Sequence, residues 1–154
     1  MSNSAHLPAS LITPQDALAA REYMSSLVAT RRSGVAASDT LSLPADTAAW
    51  VAGLTKADTI QAYEAAQKQL DALLDASPIL EIDVAARLSV ATLQTITQWL
   101  RESIHDGVLV RQRVDRNLLG GVRVRTGRAV YDLSVVKALE GSRAVLTELV
   151  HAWA

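Results

Sequence analysis

The 154-residue chain contains no cysteine and no phenylalanine. Without cysteine there are neither disulfides nor thiolate chemistry, and a reducing compartment suits the composition. Aromatic residues make up 4% of a sequence that is 49% hydrophobic, so aliphatic side chains and alanine must fill the core. No apolar run approaches the ~20 residues of a membrane span. The opening Met1-Ser-Asn-Ser-Ala-His-Leu-Pro has neither an apolar signal core nor an Arg-rich transit pattern, so the expectation is a soluble, cytosolic chain. Histidine is scarce. His6, His105 and His151 are far apart and none has a partner at metal spacing, which favours surface or capping roles. Carboxylates are scattered along helix faces, and no nucleophile elbow is present. The sequence therefore nominates no catalytic, cofactor-binding or metal residue, and the expectation is a chain without a cofactor or enzymatic activity.

The charge is uneven. Residues 1–78 carry 5 Lys/Arg against 8 Asp/Glu, and residues 79–154 carry 10 against 8. The contrast suggests two parts, a helical domain over 1–78 and a β-α-β-β-β-α domain over 79–154. Thr13-Pro14-Gln15-Asp16 is a helix start, with a capping hydroxyl, Pro at the first helical position and an acid in the first turn. Ala20, Tyr23, Met24, Leu27 and Val28 continue that helix to about Arg32. Residues 33–43 read as a linker and Ala45 to Leu54 as a short helix. Thr55-Lys-Ala-Asp58 is a further start signal. Ile60, Tyr63, Gln67, Leu70 and Leu74 form one stripe, ending near Ser77-Pro78 because the residue before Pro disfavours helix. These segments make a small bundle of three helices, or four.

After Pro78, Ile79 to Ala86 alternates as a strand. Leu93, Ile96, Leu100 and Ile104 mark a helix over 89–104. Val108 to Val114 is a second strand, with Val108, Val110, Gln112 and Val114 on one face. If the first two strands are neighbours, the crossover helix makes them parallel. The predicted class is α+β, a helical bundle followed by a small mixed sheet carrying two helices. From Ser134 on, Val135, Leu139, Leu146, Leu149 and Trp153 form a terminal amphipathic helix. Trp50, Trp99 and Trp153 read first as core and second as interface anchors.

The most informative stretch runs from Asn117 to Ser134. Val122 and Val124 alternate with Arg123 and Arg125, the pattern of a strand with one apolar and one cationic face. Gly120-Gly121 stands at its entrance, where a bulge or a close backbone approach suits glycine. Gly121 is expected to hold a backbone position that a side chain would disturb. Thr126-Gly127 is a turn signal, with Gly127 able to take positive φ. Ala129-Val130-Tyr131 returns as the next strand, and Asp132 or Ser134 can cap the following helix. The glycine pair opens a strand and not a helix, so it is not a phosphate loop, and no ATP binding or turnover is expected. Arg111, Arg113, Arg116, Arg123, Arg125 and Arg128 crowd into 18 residues with Asp115 opposing. On the alternation argument Arg123 and Arg125 face solvent. Such a face suits an acidic protein partner or a nucleic acid. RNA binding uses aromatics between the charges, and only Tyr131 is available, which favours a protein partner.

The order Leu119-Gly120-Gly121, alternating strand, Gly127, Val130-Tyr131-Asp132, Ser134 resembles the C-terminal signature of the delta subunit of F-type ATP synthases, relatives of the mitochondrial oligomycin-sensitivity-conferring protein. Leu133 stands where that pattern has glycine. The resemblance is specific over roughly 20 residues and extends more loosely back to residue 79. It implies a non-catalytic stator subunit of a proton-translocating ATP synthase that joins the catalytic head to the peripheral stalk and resists rotor torque. The implied partners are the alpha/beta head, for the N-terminal domain, and b-type stalk helices, for the C-terminal domain, with no small-molecule substrate. The implied location is cytoplasmic, at the inner face of the cell membrane through the complex. Leu119, Gly120, Gly121, Gly127, Asp132 and Ser134 are the motif residues. Arg123, Arg125, Leu146, Leu149 and Trp153 are the candidate partner-binding residues. The alternative reading is a small α+β nucleic-acid-binding module using arginines 111–128.

Overall fold

The structure is a computed structural model and describes residues 6–34, 42–140 and 142. Helix α1 spans Pro14–Ser33. Thr13 caps it: its hydroxyl accepts the Asp16 N–H at 3.2 Å, and the Asp16 carboxylate accepts the Thr13 N–H at 2.7 Å. This reciprocal box satisfies two donors that a helix start leaves open. Gly34 ends the helix in the left-handed conformation (φ 67°). Helix α2 spans Ala45–Gly53 and helix α3 spans Ile60–Asp75. The α3 cap is Thr59, whose hydroxyl accepts the Ala62 N–H at 3.3 Å, and not the earlier Thr55–Asp58 segment.

Strand β1 (Ile79–Val84), helix α4 (Val90–Ser103), and strands β2 (Leu109–Val114), β3 (Gly121–Arg125) and β4 (Val130–Ser134) follow. The sheet order is β2-β1-β3-β4. Strands β1 and β3, and β3 and β4, pair antiparallel. Leu109 N–H donates to the Pro78 carbonyl and Asp115 N–H to that of Val84. That constant offset makes β1 and β2 parallel, so the sheet is mixed, as the crossover helix requires. Residues 135–140 are helical. The α+β class and the order of elements agree with the sequence reading.

The described residues group into two compact units. One joins α1, α2 and α3 with α4, and the other holds most of the four strands. In the first unit, Leu7, Leu11, Ala17, Ala20, Met24, Val51, Ala66, Leu70, Leu74 and Leu109 form the core. Among the described residues the core contains no buried aromatic ring, in keeping with the composition. Arg21 pairs with Asp71 at 3.3 Å and also with Asp75, and Arg32 pairs with Glu64 at 2.6 Å, linking α1 to α3. Arg101 of α4 donates to the carbonyls of Leu7, Pro8, Leu11 and Val108. Burial lowers its pKa from the ordinary arginine value, and the carbonyls compensate the guanidinium's lost water. The segment before α1 is thereby fastened, which explains why Leu7, Leu11 and Ile12 act as buried anchors. Helix α4 departs from its expected stripe. Thr97 and Leu100 are buried, whereas Ile104 lies beyond the last helical residue and is exposed.

In the second unit, Leu80, Ile82, Val84 and Val110 are buried on one parity of the strands. Val114, expected on the same face as Val110, is exposed at the end of β2.

Candidate functional site

The motif stretch folds as a hairpin whose two faces have opposite chemistry. Cross-strand pairing puts Val122 opposite Leu133 and Val124 opposite Tyr131, extending the apolar parity of Ile82 and Val84 onto β4. There no described residue buries the face. Tyr131 is 60% exposed and Leu133 69%, and Leu119 and Leu139 are exposed as well.

The other face carries charge. Asp83 on β1 is 1% exposed and lies among three guanidiniums. Arg125 approaches it at 2.8 Å, Arg113 at 3.5 Å and Arg123 at 4.0 Å. Neither Asp83 oxygen accepts an aligned hydrogen bond, so the carboxylate is held by charge. Arg123 also meets Asp115 at 3.5 Å and Asp132 at 3.1 Å, and Arg111 meets Glu81 at 2.8 Å. The arginines expected to face solvent are thus partly covered and paired, and Arg123 is only 26% exposed. The correction has a simple cause. A buried carboxylate is tolerated only with cations close by, and long arginine side chains fold back over the sheet to supply them. Asp83 was missed as a site residue although its parity was readable: Glu81 and Asp83 alternate with Ile82 in step with the arginines.

The motif glycines have unequal roles. Gly121 has φ 77°, and a Cβ there would collide with the Leu133 carbonyl oxygen and sit 2.9 Å from Ser134 Cα. It has the close backbone approach expected at that entrance, and a positive φ besides. Gly120 is tight for a different reason: a Cβ would lie 3.1 Å from Val135 Cγ2. Gly127 has no positive φ and open space around its Cβ position. The β3–β4 turn is instead closed by Thr126, whose N–H donates to the Ala129 carbonyl and whose hydroxyl accepts the Ala129 N–H.

Ser134 is buried and caps the following helix by accepting the Lys137 N–H at 3.3 Å. Asp132 accepts the Ser134 N–H at 3.0 Å. Hydrogen bonds from Ser134, hydroxyl first and then backbone, together with Arg123, lower the Asp132 pKa to about 2. A carboxyl whose folded pKa lies below the ordinary 3.8 contributes stability above that value and loses it as pH falls toward 2. In an acid titration followed by NMR, the Asp132 carboxyl should therefore show its midpoint near 2, with the Ser134 amide shifting in step. A midpoint at the ordinary value would show that these hydrogen bonds do not hold in solution. Leu146, Leu149 and Trp153 lie outside the described residues. Among the described residues no group of His, Cys, Asp and Glu could hold a metal ion.

Helices followed by a small mixed sheet, with ion pairs on one face and exposed apolar side chains on the other, define an α+β protein. The chain belongs to the ATP synthase delta (OSCP) subunit family, whose model matches residues 54–146. The match reaches well before residue 79 and takes in α3 together with the sheet. No curated protein matches the chain. The family supplies a structural, non-catalytic stator component of the F-type ATP synthase, a membrane-bound complex. Among the described residues no helix is long and apolar enough to cross a membrane.

Proposed function

We propose that this chain ties the catalytic head of an F-type ATP synthase to its peripheral stalk and so resists rotor torque. In this reading b-type stalk helices dock on the sheet edge, and the helices before β1 face the alpha/beta head. The complex would hold the chain at the inner face of the cell membrane. The observation that carries the reading is the uncovered apolar edge formed by Tyr131 and Leu133, within the segment matched by the family model. A stalk helix offers the complementary shape, an apolar stripe that lies along such a ridge. Arg123 and Arg125 would contribute as fixed charges at the rim, because acidic residues of this chain already hold them. The same pairing weakens the nucleic-acid alternative. A phosphate would have to displace a carboxylate at Arg111, Arg113, Arg123 and Arg125.

The test uses the full chain with Tyr131→Glu and Leu133→Glu together. Both side chains are exposed, so far-UV circular dichroism should be unchanged. In a reconstituted synthase, ATP hydrolysis by the head should continue while proton pumping falls. Pumping at the parent level with the doubly substituted chain bound would place the stalk contact elsewhere.

A further inference from the structure

Apolar alternation leaves the pairing of β1 with β3 ambiguous by two residues. In the observed register Ile82 faces Val124 and Val84 faces Val122. Slipping β3 by two would place Ile82 opposite Val122 and Leu80 opposite Val124. Each side chain would keep its face, and both pairs would remain apolar, because strand side chains repeat every two residues. Hydrophobic burial alone does not reject that arrangement.

The charged face does. In the observed register a row of side chains crosses all four strands with alternating sign: Arg113 on β2, Asp83 on β1, Arg123 on β3 and Asp132 on β4. A second row sets Arg111 beside Glu81, with Arg125 opposite Glu81. The slip that preserves the apolar pairs would bring Asp83 opposite Gly121 and strand Arg125 beside Ile79, leaving Glu81 opposite Arg123 as the one charged pair between these strands. The buried carboxylate would lose the guanidinium across from it. The strand order is favoured in the same way, since the acidic strand β1 lies between the two basic strands β2 and β3.

We propose that the row Arg113–Asp83–Arg123–Asp132 is a register lock, in which a buried carboxylate selects one of two pairings that the apolar residues accept equally. The lock is separate from partner docking, and it would operate whichever partner the chain binds. In some proteins buried charge fixes the specificity of pairing even where it adds little net stability.

Because the chain has no cysteine, disulfide trapping reads the register directly in the full-length protein. Ile82→Cys with Val124→Cys reports the observed register, and Ile82→Cys with Val122→Cys reports the slipped one. In the parent background the first pair alone should crosslink. With Glu81→Gln and Asp83→Asn added, the slipped pair should crosslink several-fold more than in the parent. A neutralised chain that still yields the first crosslink alone would overturn the lock. If the neutralised chain does not fold, Asp83→Leu with Arg123→Met restores an apolar filling. Folding of that variant with both crosslinks supports the lock. Folding in a single register, or failure of both variants to fold, contradicts it, because the charges would then matter for stability and not for the choice of register.

Discussion

Gly121→Val is expected to cost about 3 kcal/mol or more, since it adds a side chain at a positive φ and forces it against backbone. The obstacle is not a flexible neighbour. The Cβ would meet the Leu133 carbonyl and Ser134 Cα, which belong to the strand paired with β3. Relief requires parting β3 from β4 at the end where Ser134 caps the next helix. The loss should appear as a lower urea midpoint and as faster amide exchange in β3 and β4, with α1 and α3 unaffected in the same sample. Gly127→Ala is the control. Its turn lacks both constraints, so it should stay within about half a kcal/mol of the parent. Equal effects at the two positions would mean that chain flexibility, and not the Gly121 backbone geometry, explains the motif.

Asp83→Ala should be the second large loss, about 3 kcal/mol, because removing one partner of a buried charge group leaves the others uncompensated. The magnitude stays at the low end of that range for a specific reason: Arg113 and Arg125 keep access to water and can turn outward when the carboxylate is gone. Arg123 retains Asp115 and Asp132. The freed cations give a second readout. Binding to an anion-exchange resin should weaken, and affinity for a polyanion such as heparin should rise with a steep dependence on salt. If stability and chromatographic behaviour both match the parent, the ion-pair row is an ornament of the surface and the close approach of three arginines has no energetic weight.

Sequence and structure agree where a residue's effect is local. The Thr13-Pro14-Gln15-Asp16 start needed only capping chemistry, and α1 begins there with its box closed. The strand around Val122 and Val124 followed from its period of two, and Gly121 from the entrance it occupies. Agreement fails where the outcome depends on a residue far away in the chain. Arg123 and Arg125 looked free because Asp115 is the one acid among residues 111–128, whereas Asp83 lies about 40 positions earlier and meets them only across the β1–β3 pairing. The open end of the apolar face was hidden for the same reason. Tyr131 and Leu133 alternate like any half-buried strand, and the alternation does not reveal that both side chains are exposed on edge strand β4. Gly127 shows the opposite error. A turn glycine invites a positive φ, but the Thr126 hydroxyl closes the turn without one.

The stator assignment joins these features to a task that needs stiffness and a docking face. On that proposal, the ion pairs across the strands and the backbone-locked hairpin would stiffen the sheet, and the exposed side chains of β4 would offer the face. Co-purification tests that assignment most directly. The full chain, tagged at one end, would be expressed in its native host, and membranes solubilised under conditions that keep the synthase intact. The account predicts that alpha, beta and b-type subunits are recovered with the tagged chain in constant ratio, and that Tyr131→Glu with Leu133→Glu removes the b-type subunit first. Recovery of the chain without synthase subunits, from a preparation in which the rest of the complex remains assembled, would contradict it.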